Sequence, residues 1–369
     1  VVHLKMLDIV RRSGVKQKTK TILLGTVVLG LLVGIVLAAR WYQQEYQLAV
    51  STSFVMDTVV EQKLYGRNSQ QAVAEIERRL QQYEQQYSMY IEDSQVSQIN
   101  KNAGEKYTAV SAECLELLER SILGSQEFDG LFDITIAPLT QLWGISSEEP
   151  HVPLQEEIDQ AKALVNYRDI LIDGNQVMLR NEGQAIDLGA VAKGASCDIV
   201  REVAAEYGIK TGYASIGGNL VVLGDDPDGQ PYQFAIRDPQ GDASEYIATL
   251  SLTGKTMATT GGYERWFEQD GKRYHHVLDP RTGYPSESDL LSVSVISEDG
   301  LLADCLSTAL FVAGKEAALE RMQREDYQLV IVDTEGNIYY SPSLEGNLQP
   351  NSQNARGYQF TAYEGGEES

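Results

Sequence analysis

Two oxygen-bearing side chains, Asp304 and Thr308, stand four residues apart in the late apolar segment GLLADCLSTALFVAG, Gly300–Gly314. At helical spacing they share a face, so a carboxylate and a hydroxyl point the same way. Hard oxygen ligands of this type suit Mg²⁺, which fills its other positions with water and substrate phosphates. The same pair also fits a helix-dipole partner and a threonine bonded back to its own helix. A second group lies in MATTGGYERWFEQDGKRYHHVLDPRTGYP, Met257–Pro285. Thr259, Thr260, Gly261 and Gly262 offer hydroxyls and close backbone approach ahead of a strand. His275 and His276, two of only four histidines in the chain, precede the turn at Asp279-Pro280. Histidine is the usual proton acceptor near neutral pH. Strand alternation sends adjacent side chains to opposite faces, so at most one of the pair does chemistry. The third group is IDLGAVAKG, Ile186–Gly194, where an apolar strand end, an acid, two glycines and a lysine run into a helix. Backbone N–H groups and the positive end of a helix dipole can face an anion there; the plain alternative is a solvated turn with a surface lysine.

The elements that must position these groups read as follows. Ser51–Gly66 alternates as a strand carrying FVMDT, and Ser69–Ser88 is an amphipathic helix with Ala72, Ile76, Leu80, Tyr83 and Tyr87 on one stripe. A loop, MYIEDSQVSQIN, leads to a helix with Ser111 at its N-cap. DGLFDITIAPLTQLWG is a short strand entering a turn at Pro138, and Pro153 opens a short helix. Ile170–Asp173 and Gln176–Arg180 form a hairpin about Gly174-Asn175, and a second hairpin turns at Asp270-Gly271. Ala214–Leu223, Tyr232–Ile236, Tyr246–Leu252 and Leu290–Ser297 are strands, Asp299–Val312 and Lys315–Arg324 helices, and Leu329–Tyr340 a last hairpin. Runs of adjacent strands with separate helices give an α+β class. The Asn, Gln, Gly and Glu content of residues 344–369 reads as a flexible acidic tail.

Charge and hydropathy divide the chain. Val1–Arg40 holds seven Lys/Arg against one Asp, so of the net −23 that segment carries +6 and the remainder −29. The remainder would repel nucleic-acid phosphates, and a polyphosphate ligand there needs a local cation. Thr21–Ala39 is uncharged and long enough for one bilayer-spanning helix. Lys16, Lys18 and Lys20 before it, against Arg40 after it, put residues 1–20 in the cytoplasm and the rest outside, with residues 40–50 as a stalk and a domain over residues 51–343. Ala38-Ala39 leave a cleaved signal peptide as the alternative. Cys114, Cys197 and Cys305 are dispersed and odd in number, which argues for buried free thiols rather than a disulfide framework.

In this order along the chain, FVMDT, FDITIAPLTQLWG, IDLGAVAKG, ASIGGN, MATTGGYER, HHVLDPRTGYP and LLADCLSTALF resemble the ApbE family of FAD:protein FMN transferases, from roughly Ser51 to Tyr340. The resemblance implies an α+β fold that takes FAD as substrate and needs Mg²⁺. It implies transfer of the FMN moiety onto a Thr or Ser hydroxyl of an acceptor flavoprotein through a phosphoester, with release of AMP. Matched residue by residue, it implies Asp304 and Thr308 as side-chain metal ligands and Ala190 as a ligand through its carbonyl. It places Met56, Tyr90, Leu131, Phe132, Asp133, Asp187 and Lys193 around FAD, and His276 as the base, also against FAD. Thr260 matches a flavin-side position, but Thr260-Gly261-Gly262 stands where many members have Ser-Gly-Asp, so a carboxylate contact is absent there.

Two other functions compete on sequence grounds: hydrolysis of FAD to FMN and AMP at the same site, and a non-catalytic flavin-binding protein outside the cell, which has no need of a base. The resemblance also implies an acceptor threonine closely following Asp-Gly; the Asp-Gly pairs at Asp129, Asp173, Asp228, Asp270 and Asp299 all lack Ser or Thr two places after the glycine, so the acceptor is expected to be another protein, at the outer face of the membrane.

Overall fold

The computed structural model describes residues 23–40 and 46–365. Helix α1 (Leu23–Arg40) has mean hydropathy 2.3 and no buried surface; it is long and apolar enough to cross a membrane. Thr21 and Ile22 of the expected span, and residues 1–20, lie outside the described residues. The chain continues through β1 (Leu48–Val55), β2 (Thr58–Tyr65), α2 (Ser69–Tyr87), α3 (Gln95–Lys101), β3 (Thr108–Ala109), α4 (Ala112–Glu127), α5 (Ala137–Trp143) and α6 (Gln155–Lys162). Then come β4 (Ile170–Asp173), β5 (Gln176–Leu179), α7 (Gly189–Glu206), β6 (Thr211–Ile216), β7 (Asn219–Val222), β8 (Tyr232–Arg237), β9 (Tyr246–Leu252) and β10 (Thr256–Gly261). The last third holds β11 (Trp266–Gln269), β12 (Lys272–His275), β13 (Leu290–Ser297), α8 (Gly300–Ala313), α9 (Lys315–Arg321), β14 (Gln328–Asp333), β15 (Asn337–Tyr340), β16 (Leu348–Pro350) and β17 (Gln359–Ala362).

A nine-stranded sheet in the order β1-β2-β6-β7-β10-β13-β14-β15-β17 forms the middle layer. Successive side chains of its central strands enter different cores, because alternate residues of a strand face opposite ways. Val221, Ala258, Val293 and Val295 meet the helices, whereas Leu220, Val222, Met257 and Ile296 meet a second sheet, β16-β9-β8. The expected stripe of α2 is its buried face. Helix α8 is mostly apolar and buried on most sides, with Asp304, Ser307 and Thr308 as its polar side chains. It crosses α7 where Gly194 and Gly300 touch: a Cβ on either would run into the opposing backbone carbonyl. Two glycines therefore set how closely the two chemistry-bearing helices approach. The fold is α+β, and all three cysteines are buried and free.

Several local expectations need correction. Ser51–Gly66 is not one strand but the β1–β2 hairpin, turned at Met56 and Asp57, both at φ +55°. This is a primed-turn conformation usually announced by Asn-Gly, so Met-Asp gave no warning. Ala214–Leu223 is likewise split into β6 and β7 by Gly217-Gly218, both at positive φ. Pro138 sits not in a loop turn but in the first turn of α5, where a missing N–H breaks no intrahelical bond. The loop after α2 contains α3, capped by Ser94 through the Ser97 amide. Thr259–Gly261 precede strand β11 as expected, but they are themselves the end of β10 rather than a loop. The stalk is shorter than residues 40–50, since Leu48–Val50 already pair in β1. The tail is not loose: β16 pairs with β9 and β17 runs parallel to β15, while Asn354, Arg356 and Tyr358 all bond to Asp238. Polar composition misled there because the segment is held by a buried carboxylate together with a few apolar anchors, Leu344, Leu348 and Phe360, set among polar residues.

Candidate active site

The first turn of α7 and the second turn of α8 meet at Asp304. Its Oδ2 accepts the Gly194 amide at 2.9 Å, and its Oδ1 lies 3.8 Å from Lys193 Nζ. In a regular helix the Gly194 N–H is the donor that faces the Ala190 carbonyl, so one turn of backbone carries both the carbonyl and the amide that fixes the carboxylate. Asp304 is only 2% exposed. A carboxylate at that depth with a single amide donor and a distant ammonium is under-compensated, since buried charge is costly unless paired and hydrogen-bonded. One turn on, Thr308 Oγ1 lies 3.3 Å from Thr260 Oγ1, which also meets Ser307 Oγ at 2.8 Å. Carboxylate, hydroxyls and a helix-start carbonyl make an all-oxygen donor set suited to a hard divalent cation. Among the described residues no cluster of three His, Cys, Asp or Glu side chains forms a softer site.

The helices are locked in register. Asp198 of α7 accepts the Gly300 and Leu301 amides of α8 at 2.7 and 3.2 Å, and the N-cap Asp299 accepts Leu302 N at 2.8 Å. Arg120 of α4 reaches both acids, 2.7 Å from Asp299 and 3.6 Å from Asp198. Sequence reasoning missed Asp198, although its place on the α7 pattern, nine residues after Gly189, was visible.

The two histidines separate by their partners. His275 Nε2 meets the Ser286 carbonyl at 3.0 Å and its Nδ1 accepts Val277 N at 3.3 Å, so both nitrogens are committed; the ring also stands edge-on to Phe311. His276 Nδ1 meets the Arg265 carbonyl at 3.2 Å. A carbonyl only accepts, which puts the proton on Nδ1 and leaves the Nε2 lone pair free. His276 remains open to solvent while densely surrounded, the condition of a cleft wall. Burial, followed by the charge of Lys193, pushes its pKa down to about 4, so the imidazole is neutral at physiological pH. Gly262 explains the missing triplet acid: a Cβ there would meet the His275 ring, leaving no room for a larger side chain.

Lys193 is also felt by Asp187, whose carboxyl is raised by burial against the opposing Gly189 amide bond and Lys193 charge. Ile186 and Asp187 lie in a non-strand segment before α7, not at the strand end the sequence suggests, and are clamped by side-chain and main-chain bonds: the Asp187 amide bonds Ile134 O at 2.8 Å while Ile186 exchanges two bonds with Asn100. The rim is built by Met56, whose sulfur accepts from Ser196 Oγ at 3.4 Å, and by Tyr90, 75% exposed. Arg265, which the sequence did not single out, joins the rim by pairing with Asp57 Oδ2 at 3.1 Å. Contacts and electrostatic coupling thus link Met56, Tyr90, Asp187, Lys193, Thr260, His276, Asp304 and Thr308, while Ala190 is placed by its position in the first turn of α7. The structure does not gather the whole Leu131–Asp133 segment. Phe132 is in the core, and Asp133 spends its carboxylate on Thr135 N, Thr135 Oγ1 and Tyr167 N at 2.7–2.8 Å. Only half-buried Leu131 and the main chain can face a ligand.

Known proteins similar to this chain fall in one family. The ApbE family model matches residues 56–331. A relative described as FAD:protein FMN transferase from Klebsiella pneumoniae is 33% identical over 302 residues, covering 81% of this chain and 93% of the relative. Another so described, from Escherichia coli, is 31% identical, covering 74% and 80%. Among solved structures, the ApbE protein of Thermotoga maritima superposes with TM-score 0.76 at 32% identity, covering 82% of this chain and 99% of that one. Flavin transferase ApbE from Vibrio cholerae gives 0.74 at 28% identity with the same coverage. The chain is a member of the ApbE family.

Proposed function

We propose that this chain transfers the FMN moiety of FAD to a Thr or Ser hydroxyl of an acceptor flavoprotein, through a phosphoester and with release of AMP. The observation that carries the reading is Asp304, a buried carboxylate with too few donors of its own, one helical turn from a hydroxyl and beside a helix start. Asp304, Thr308 and the Ala190 carbonyl would hold Mg²⁺, which when bound supplies charge neutralisation for a pyrophosphate in a strongly negative domain. Lys193 and the α7 N-terminus add local positive charge for the same group. Met56, Tyr90, Leu131, Thr260 and Asp187 line the flavin-nucleotide cleft; Phe132 and Asp133 support it through their main chain.

In the reaction the acceptor oxygen forms a bond to the FMN-side phosphorus as the bond from that phosphorus to the bridging oxygen breaks. The acceptor proton passes to His276 Nε2, while Nδ1–H stays on the Arg265 carbonyl and holds the ring's orientation. AMP leaves with the bridging oxygen. Helix α1 anchors the chain with residues 1–20 in the cytoplasm and the catalytic domain on the extracytoplasmic side, where membrane flavoproteins are the acceptors. The test is to incubate the full chain with FAD, Mg²⁺ and a candidate acceptor and to weigh the intact acceptor. An FMN-sized mass gain with stoichiometric AMP is expected; free FMN with unmodified acceptor would make the chain a hydrolase.

A further inference from the structure

The outward side of the central sheet is not uniformly covered. The β16-β9-β8 sheet spreads over it only as far as β6, where Tyr213 packs against Tyr232 and Phe234 with ring centroids 5.4 and 5.1 Å away. Beyond that lies β1–β2, with β1 at the sheet edge. Alternation puts Leu48, Val50, Thr52 and Phe54 on the outward face. The register adds Val59 opposite Phe54, Glu61 opposite Thr52 and Lys63 opposite Val50. Val50 is 64% and Phe54 69% exposed, and Leu48 and Val59 are exposed as well, while Ala49 and Val55 on the other face are buried under the helices. An exposed apolar edge strand is a surface that proteins ordinarily blunt or cover.

What covers it follows from chain length. Only residues 41–47 separate Arg40, the end of α1, from Leu48. Seven intervening residues span at most about 28 Å. If α1 sits in a bilayer, β1 cannot leave its surface by more than that. Such a tether gives a local concentration on the order of millimolar, so even a weak apolar contact is occupied. Glu61 and Lys63 cancel within the face, which makes the contact apolar rather than electrostatic.

We propose that the outward face of the β1–β2 hairpin rests on the lipid headgroup boundary of the membrane that α1 spans. The Met56–Asp57 turn is the tip of this hairpin, so docking turns the rim of the cleft toward membrane-bound acceptors. The proposal rests on the reading of α1 as an uncleaved anchor.

The test uses the full chain in phosphatidylcholine vesicles, with a nitroxide on Val50→Cys or, at the far end of the sheet, on Glu325→Cys. Docking gives a several-fold higher ratio of oxygen to water-soluble nickel-chelate collisions at position 50 than at position 325, insensitive to salt. Leu48→Glu with Val50→Glu should lower transfer to a membrane-bound acceptor several-fold and leave transfer to its soluble form unchanged. Equal ratios in a chain that resists alkaline extraction overturn the docking and keep the anchor. Release on alkaline extraction overturns both. Shielding of position 50 that persists in detergent and grows with protein concentration assigns the face to a second copy and overturns the lipid reading.

Discussion

Two buried carboxylates in this molecule have opposite surroundings. Asp238, fully buried, receives Tyr358 OH at 2.7 Å, Asn354 Nδ2 at 2.8 Å, Gln240 N at 2.9 Å and Arg356 Nε at 3.0 Å. Asp304, almost as deep, has one amide and an ammonium at 3.8 Å. Depth alone therefore says little about role. At Asp238 the chain supplies the donors itself, one from the neighbouring Gln240 amide and three from its C-terminal segment, and the product is a clasp. At Asp304 the chain withholds them, and a place remains for a positive partner brought by another molecule. The same contrast separates the histidines, since His275 has both nitrogens engaged and His276 keeps one lone pair.

The largest effect expected from breaking this contrast is at the under-compensated acid. Asp304→Asn keeps the shape and an acceptor for Gly194 N–H but removes the charge, and transfer should fall by about a thousandfold, the equivalent of several kcal/mol of electrostatic stabilisation. Steady-state labelling of an acceptor across a Mg²⁺ titration measures it. His276→Ala should lower transfer by about 10²–10⁴ while FAD binding, read by flavin fluorescence, persists. His275→Ala, by contrast, should show first in thermal unfolding, because its partners are backbone groups of the 277–286 loop.

The pH profile sharpens the same comparison. His276 must be neutral to accept a proton, so the acid limb of kcat/KM should lie near its pKa of about 4 in the free enzyme. Lys193 is one cause of that depression, and Lys193→Met should move the limb to higher pH. An unmoved limb would place Lys193 outside the electrostatics of the base. The smallest effect on turnover is expected at the clasp. Burial alone would raise the Asp238 carboxyl, but its bonds to Asn354, Tyr358, Gln240 and Arg356 outweigh this and hold it below the usual carboxylate range. Its contribution to stability is therefore complete above the unfolded carboxylate pKa of about 3.9 and is lost as pH falls through the lower folded value. Asp238→Ala should cost about 3 kcal/mol in urea unfolding at neutral pH, with acid sensitivity reduced and transfer at moderate temperature largely retained.

Much of this was readable before any coordinates. The α2 stripe, the Ser111 cap, the 174–175 and 270–271 hairpins and the Asp304–Thr308 face follow from local periodicity and turn chemistry. The site residues came mainly from resemblance, because no periodicity links Ala190 to Asp304 across more than a hundred residues. What stayed hidden depends on contacts distant in sequence. Arg265 is informative only once it reaches Asp57, Asp198 only once it caps α8, and Asn354, Arg356 and Tyr358 only once Asp238 lies beneath them. The Met56–Asp57 turn was illegible for a different reason: two non-glycine residues hold positive φ, and only the aspartate is of a type that visits it with any frequency.

The central claim, that the missing donors of Asp304 are made up by a divalent cation at the FAD phosphates, is tested most directly by weighing an acceptor after incubation with FAD and Mg²⁺ and either the wild-type chain or its Asp304→Asn variant. The account requires complete FMN addition by the wild type, none when the metal is chelated, and almost none by the folded variant at any Mg²⁺ concentration. Full labelling by Asp304→Asn, or by the wild type under chelation, would contradict it.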